Sequence, residues 1–147
     1  MTFVLLRHSP DKAQSSIAFH AEFTADPVPL GPQAPLIFDS VSTNVGNGYD
    51  AITGNFRAPV SGTYMFVLNY MGDINTQLYV NMYVDNTVVD YSLSHGDGRS
   101  WDHVSESLVV HLQPGQHVHL KNGSAEPKNI RGNHWSTFSG FLIQADP

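Results

Sequence analysis

Apolar residues recur at every second position along much of this 147-residue chain, and helical periodicity is almost absent. Period-2 alternation is typical of strands that bury one face. Gly, Pro, Asn and Asp separate the alternating segments at spacings of roughly 8–12 residues, as in sandwiches, jelly rolls and barrels. We therefore predict an all-β fold. The predicted strands are 17–23, 36–41, 55–58, 63–71, 77–84, 87–93, 104–112, 117–121 and 135–144.

The connections between these strands differ in length. The segment 24–35 holds four prolines and a glycine and is predicted to be a loop. Successive turns of an antiparallel fold lie at opposite ends, so the long loops are expected at one pole, the usual place for a binding surface. The long polar loops are 71–76, 94–102 and 122–134, and the short ones are 59–62, 85–87 and 113–116.

The run from Tyr64 to Leu68 is apolar on both faces of its predicted strand. One face of an antiparallel sheet normally meets water and is polar, so this strand needs a second cover, and another copy of the chain can supply it. Charged residues make up only 14% of the chain, against roughly a quarter in average domains, which also favours a covered surface. The alternative is that Met65 and Val67 are ordinary exposed apolar residues.

The net charge of −6 excludes several classes of partner. A nucleic-acid binder needs a basic stripe, and an excess of acidic residues also disfavours docking on anionic lipid. No segment is long and apolar enough for membrane insertion as a helix. The apolar run at residues 3–6 is too short for a signal-peptide core, so no signal peptide is visible. Either export does not use that route, or a longer precursor was trimmed.

A spaced set of aromatics and glycines resembles the globular C1q domain of the C1q/tumour-necrosis-factor superfamily. Leu68 replaces the Phe or Tyr that ends this pattern, which is a conservative departure. Three further stretches resemble the family's strand corner, its Leu-x-x-Gly-Asp-x-Val turn (with Gln116 for Asp) and its final strand. The spaced set is Phe38, Asn44, Tyr49, Phe56, Gly62, Tyr64 and Phe66, and the stretches are 56–64, 112–118 and 136–142.

The resemblance implies a ten-stranded jelly-roll sandwich of two antiparallel sheets that assembles as a homotrimer and is secreted. It divides the chain into an N-terminal segment, 1–16, and a C1q-like globular domain, 17–147. The chain contains no collagen-type Gly-x-y repeat, so it is similar to stand-alone invertebrate, mollusc-type C1q-domain immune lectins. The predicted trimer or core residues are Phe38, Phe56, Tyr64, Phe66, Leu68, Phe138 and Phe141.

The segment 95–103 is the most site-like stretch of the chain. Asp and Arg grip hydroxyls or carboxylates through directional hydrogen bonds, and a tryptophan offers an apolar face to a sugar ring. The alternative is a mobile loop whose tryptophan packs inward. The loops before and after it are expected at the same pole. The candidate ligand-binding residues are Asp73, Asn75, His95, Asp97, Arg99, Trp101, Asp102 and Arg131.

Metal and titration chemistry are weaker possibilities. No cofactor is required, although Asp73, Asp97 and Asp102 can in principle offer oxygen ligands to calcium. His117 and His119 share one strand face and can bind zinc or remain two solvated side chains. His111 is expected to point outward, where its protonation near pH 6 would weaken a trimer if it lies in the subunit contact.

Together with the site-like loop, the resemblance implies a trimeric pattern-recognition lectin of innate immunity. Its ligands would be glycans or microbial surface polysaccharides, of mannose, sialic acid or lipopolysaccharide type, bound by the apical loops. The alternative is a protein-binding assembly or signalling module without sugar specificity. No nucleophile elbow or paired-carboxylate motif is present, and no enzymatic activity is expected.

Overall fold

A computed structural model describes residues 16–147 of the chain. The predicted N-terminal segment, except for Ser16, and its apolar run therefore lie outside the described residues. Within residues 16–147 the regular structure consists of strands. No helix long and apolar enough to cross a membrane occurs in this part of the chain.

Twelve strands follow one another along the described residues. They are β1 (Ala18–Phe23), β2 (Val28–Leu30), β3 (Ser40–Val45), β4 (Tyr49–Asp50), β5 (Asn55–Arg57), β6 (Gly62–Met71), β7 (Gln77–Val84), β8 (Thr87–His95), β9 (His103–Leu112), β10 (His117–Asn122), β11 (Lys128–Ile130) and β12 (Asn133–Ala145).

Ten of these strands form two five-stranded antiparallel sheets. Sheet 1 has the order β3-β1-β12-β6-β9, and sheet 2 has the order β4-β5-β10-β7-β8. The remaining two strands, β2 and β11, pair as a short ribbon. The predicted all-β sandwich of ten strands is confirmed, and the ribbon is an addition to it.

Strand β6 shows how the period-2 pattern positions side chains. Tyr64, Phe66, Leu68 and Tyr70 are buried between the sheets, whereas the residues between them are half-buried on the outer face of sheet 1. Neighbours on both sides continue this division, because β12 and β9 pair with β6 along almost its whole length. The inner face of sheet 1 is therefore largely apolar, with Glu106 of β9 as a polar exception at its edge.

Aromatic rings fill the space between the sheets. The Phe19 ring stacks on Tyr49 and Phe56, with centroids 4.7 and 5.2 Å away, and meets the edge of Phe138 at 5.1 Å. Gly140 lies under this cluster in β12. A Cβ atom there would come within 2.6 Å of the Phe19 and Phe66 rings, so this position needs glycine.

The predicted trimer or core residues fall into two groups. Phe141 lies on the outer face of sheet 1, beside Met65 of β6, which in turn pairs with Val109 of β9. Phe141 is 43% exposed and Val109 is 59% exposed, so this outer face has an apolar centre. The residues buried in the core of the protomer are Phe38, Phe56, Tyr64, Phe66, Leu68 and Phe138.

Three segments differ from the sequence-based prediction. The predicted strand 36–41 was wrong in its position, because the regular strand there is β3, which begins at Ser40. Leu36 instead donates its backbone N–H to the Leu120 carbonyl, 2.9 Å away, as part of an isolated antiparallel bridge between Pro35 and Lys121. The predicted loops 24–35 and 122–134 contribute β2 and β11 to the ribbon.

Candidate functional site

Hydrogen bonds join two of the three long loops at one pole of the sandwich. Gly96 N–H donates to the Thr76 carbonyl at 2.9 Å, and Gly98 N–H donates to the Ile74 carbonyl at 2.7 Å. A side chain at Gly96 would come within 2.4 Å of the Asp73 carbonyl oxygen, so the close contact requires glycine. The loop that follows β6 and the loop that follows β8 thus support each other.

The third long loop joins this pole through the backbone, since Arg131 N–H donates to the Met71 carbonyl at 2.8 Å. The Arg131 side chain also forms an ion pair with Asp26 of the 24–35 loop. Arg131 Nε and Nη2 donate to the two carboxylate oxygens of Asp26, at 2.8 and 2.9 Å. Gly132 N–H adds a third hydrogen bond to Asp26 Oδ1 at 2.9 Å. The hydrogen bonds from Arg131 and Gly132 lower the pKa of Asp26 from 3.8 to about 2. Asp26 is therefore ionised at neutral pH and fixes the orientation of the guanidinium.

Two tryptophan rings contact the same guanidinium. Arg131 Cζ lies 4.6 Å from the centre of the Trp101 ring and 5.6 Å from the centre of the Trp135 ring. Both distances are within the range of cation–π attraction. Trp101 is 43% exposed and Trp135 is 51% exposed, so neither ring packs into the core. The predicted alternative, an inward-packing Trp101, does not describe this arrangement.

Trp101 forms one wall of a cleft of about 300 Å³, which we call the Trp101 cleft. Its volume is at the lower end of the range for small-ligand sites. Two carboxylates and one guanidinium line it, which leaves one negative charge in excess. The lining residues are Asp26, Pro27, Asp73, Trp101, Asn129, Ile130 and Arg131.

Three of the eight candidate ligand-binding residues line this cleft, namely Asp73, Trp101 and Arg131. Two other candidates hold the 94–102 loop together through backbone contacts. Asp97 Oδ1 accepts the N–H groups of Arg99 and Ser100 at 2.8 and 3.1 Å, and these bonds lower the pKa of Asp97.

The remaining candidates also contact backbone or lie beside these turns. Asp102 Oδ2 accepts the His95 N–H at 2.7 Å, and Asn75 N–H donates to Asp73 Oδ1 at 3.3 Å. Asp and Asn often form such local turns with neighbouring backbone. The ligand-binding roles of all eight residues stay predictions.

The structure does not bring the proposed calcium ligands together as a cluster. Among residues 16–147, no group of three or more His, Asp or Glu side chains is arranged to hold a metal ion. Of the three aspartates named for calcium, only Asp73 lines the cleft, and Asp97 uses its carboxylate on backbone N–H groups. Calcium binding stays a prediction that would require backbone or ligand oxygens as well.

The histidines on the strand faces have local partners. His117 Nδ1 lies 2.9 Å from Asp85 Oδ1, and His119 Nε2 donates to the Asp85 carbonyl at 2.7 Å. Burial lowers the pKa of His119. His111 is exposed on the outer face of sheet 1, where its Nε2 lies 2.8 Å from Asp146 Oδ2.

Sequence reasoning missed Asp26, Pro27 and Ile130 as cleft residues. Asp26 lies 105 residues from the arginine that it binds, and no local pattern connects the two positions. The only hint in the sequence was that Asp26 is an acidic residue in a proline-rich loop with no charged neighbour to pair with. Ile130 is buried in ribbon strand β11, which the sequence had presented as part of a loop.

A family model for the C1q domain matches residues 18–143. Complement C1q tumor necrosis factor-related protein 3 of mouse and of human are each 38% identical to this chain over 112 residues. That match covers 74% of this chain and 44% of each relative, so the chain spans less than half their length. Caprin-2 of zebrafish is 31% identical over 136 residues, which are 90% of this chain and 15% of that protein.

Solved structures share the fold at low sequence identity. The globular domain of zebrafish complement 1qA protein has a TM-score of 0.76 at 20% identity and covers 88% of this chain and 99% of that one. Eiger TNF of S. frugiperda also has a TM-score of 0.76, at 12% identity, and covers 90% of this chain and 96% of that one. The sandwich is therefore a jelly roll of the C1q and TNF type.

Proposed function

This chain belongs to the C1q domain family, and from that premise we propose that it acts outside the cell as a trimeric recognition lectin that binds neutral glycans at its loop pole. A homotrimer fits the family. The proposal describes a binding module, with no catalytic step.

One observation carries the choice of ligand, namely the half-exposed Trp101 ring on the wall of a small cleft that already contains its own ion pair. A sugar ring presents an apolar C–H face that packs on an aromatic ring. Its hydroxyls accept hydrogen bonds from an amide and donate them to a carboxylate. Asn129 and Asp73 supply these two groups in the cleft.

The charge of the cleft favours neutral sugars over anionic ones. Both oxygens of Asp26 already contact Arg131, so the guanidinium is neutralised before any ligand arrives. Asp73 then leaves the cleft with one negative charge in excess. Like charges repel a carboxylate or a phosphate, so mannose-type sugars suit this site better than sialic acid or the phosphates of lipopolysaccharide.

A trimer would present three such clefts on one assembly. Weak single-site binding then becomes strong on a surface that repeats the ligand. The apolar centre of the outer face of sheet 1 around Met65, Val109 and Phe141 is the surface we propose for contact between copies. Burial of exposed apolar area in such a contact drives association.

The lectin proposal is tested with a glycan array and with titration of methyl α-mannoside, in calcium and in chelator. Trp101→Ala is expected to weaken binding at least about tenfold, since the ring loses its contact with the sugar. Trp135→Ala is the matched control, because Trp135 also contacts Arg131 and is similarly exposed but does not line the cleft. No binding to any glycan, or an equal loss in both variants, would contradict the proposal.

The trimer contact is tested by sedimentation at micromolar concentration. Phe141→Glu introduces a charge into the apolar centre of the outer face and is expected to yield monomers that remain folded. Tyr91→Glu is the control, since Tyr91 is 71% exposed on sheet 2. A wild-type protein that sediments as a monomer would contradict the proposed assembly.

A protein-binding module is the second candidate function. Sheet 2 exposes Tyr91 and Leu93 on its edge strand β8, and aromatic and aliphatic side chains of this kind are common in protein interfaces. Recovery of a single protein from extracellular fluid, unaffected by free sugar and abolished by Tyr91→Glu, would favour this function over the lectin.

A further inference from the structure

A second cleft of about 300 Å³ lies beside strand β7 and shares no lining residue with the Trp101 cleft. We call it the Tyr79 cleft. It combines one exposed aromatic ring with an amide, a hydroxyl, an ammonium group and a carboxylate. The lining residues are Gln77, Tyr79, Gly123, Ser124, Ala125, Glu126 and Lys128.

Tyr79 supplies the apolar wall of this cleft. Its side chain is 41% exposed on the outer face of sheet 2, where it pairs across the strands with Leu93. The phenol O–H donates to Gln77 Oε1 at 3.3 Å, and the Tyr79 backbone N–H donates to Ser124 Oγ at 3.4 Å. The phenol is therefore held by its own strand, and the backbone at Tyr79 is bonded to the 122–134 loop that faces it.

A fully buried amide holds that loop in place. Asn122 Nδ2 donates to the Gly31 and Glu126 carbonyls at 3.0 and 3.2 Å, and Asn122 Oδ1 accepts the Ser124 N–H at 2.9 Å. A buried polar group with all these partners makes a rigid network. The cleft is consequently formed before any ligand binds, which reduces the entropy cost of binding.

The charged groups of the Tyr79 cleft balance each other. Lys128 is only 11% exposed, and its Nζ donates to Thr76 Oγ1 at 2.5 Å and lies 3.8 Å from Glu126 Oε2. The Glu126 side chain is 79% exposed, so its carboxylate faces solvent at the mouth of the cleft. The pair offers a strong donor and a strong acceptor without net charge, which selects against both anions and cations.

We infer that the Tyr79 cleft is a second carbohydrate site, which takes one neutral hexose ring with its apolar face on Tyr79 and its hydroxyls on Glu126, Lys128 and Gln77. The volume suits one small ring rather than an extended ligand. The inference shares the ligand class of the proposed function but uses separate residues. Each protomer would then hold two sugars and could bridge two branches of one glycan.

The test is a titration of the full chain with methyl α-mannoside and methyl β-galactoside, followed by amide NMR and calorimetry. Wild-type protein is expected to bind two hexoses per protomer, with shifts at Tyr79, Ser124 and Lys128 as well as at the Trp101 cleft. Tyr79→Ala is expected to remove the first set of shifts and weaken that site about tenfold. Tyr91→Ala, exposed on the same sheet but outside the cleft, is the matched control.

Glu126→Gln tests the charge balance, because it leaves Lys128 without a counter-charge and keeps the shape of the side chain. We expect weaker hexose binding at this cleft and new binding of N-acetylneuraminic acid. Hexose binding only at the Trp101 cleft would overturn the inference and leave the proposed function standing. Hexose binding only at the Tyr79 cleft would overturn the proposed role of the Trp101 cleft and leave the inference standing. No hexose binding at either cleft would overturn the inference and the proposed function together.

Discussion

The protein contains two aromatic clusters that differ in what surrounds their rings. In the core cluster, Phe19, Phe56, Phe66 and Phe138 pack on one another between the sheets, and each is at most 2% exposed. In the Trp101 cluster, two half-exposed rings contact a single guanidinium at the loop pole. The first cluster stabilises the fold, whereas the second leaves ring faces available to a ligand.

The aromatic residues of this chain differ in role according to the groups that they contact, and not according to residue type. Rings between the sheets are buried among other groups of the core, so they contribute to the free energy of unfolding. The two tryptophan rings at the pole contact Arg131, which is itself paired with Asp26, and about half of each ring residue is exposed to solvent. Substitutions in the two clusters should therefore separate stability from binding.

Phe138→Ala is expected to have the largest effect on stability. Phe138 is fully buried and contacts Phe19, Phe38 and Phe66. Truncation of a buried phenylalanine to alanine costs about 3–5 kcal/mol, because the removed atoms no longer contribute their hydrophobic transfer free energy and a cavity is left in the core. Urea unfolding at fixed protein concentration measures this value. A loss below about 1 kcal/mol would mean that the core cluster is not packed as described.

Gly140→Ala tests the same cluster by adding an atom instead of removing several. The new Cβ would meet the Phe19 and Phe66 rings at 2.6 Å, and overpacking of this kind costs about 1–3 kcal/mol. Gly31→Ala is the matched control, since its nearest neighbour is the Ala34 Cβ at 4.0 Å and its effect should stay within about 0.5 kcal/mol. Equal unfolding midpoints for the two variants would mean that Gly140 is not packed against the Phe19 and Phe66 rings as described.

Asp26→Asn examines the ion pair that supports the Trp101 cluster, with an effect at pH 7 smaller than that of either core variant. The folded-state pKa of Asp26, about 2, lies below the ordinary 3.8, so the carboxylate stabilises the fold above about pH 4. This contribution is lost as the pH falls through 2. The stability difference between wild type and Asp26→Asn should therefore shrink between pH 5 and pH 2 in urea titrations. A stability difference that does not change with pH would contradict the lowered pKa of Asp26.

Trp101→Ala should have the smallest effect on stability. The ring is half exposed, and its contact with Arg131 is worth about 0.5–1 kcal/mol at an exposed site. Thermal unfolding should shift little, while hexose binding at the Trp101 cleft weakens at least about tenfold. A loss of stability as large as that of Phe138→Ala would place Trp101 in the folding core and remove the contrast between the clusters.

The sheets could be predicted because their strands are long and regular. Strand β6 alternates buried and half-buried residues over its ten positions, and that period is visible in the sequence. Ribbon strands β2 and β11 have only three residues each, and β2 contains Pro29, a residue that interrupts most strands. Short strands with proline carry too little pattern to be separated from loops.

The sites could be predicted only in part. The alternation of long and short loops was enough to place Asp73, Trp101 and Arg131 at one pole. It carried no information on which acid neutralises Arg131, because that pairing depends on the ribbon. The Tyr79 cleft was not predicted either, since the sequence gives no sign that the Asn122 side chain makes four hydrogen bonds to backbone atoms.

The pairing of Asp26 with Arg131 has a consequence for how this pole can diverge among descendants of the same gene. A change at either position alone leaves one charge between the two loops without its partner, and a change at Asp26 also removes the acceptor of the Gly132 N–H. Each single change therefore costs stability that a paired change of both positions would avoid. New specificity is more accessible at Asp73 and Asn129, which line the opening without belonging to that pair.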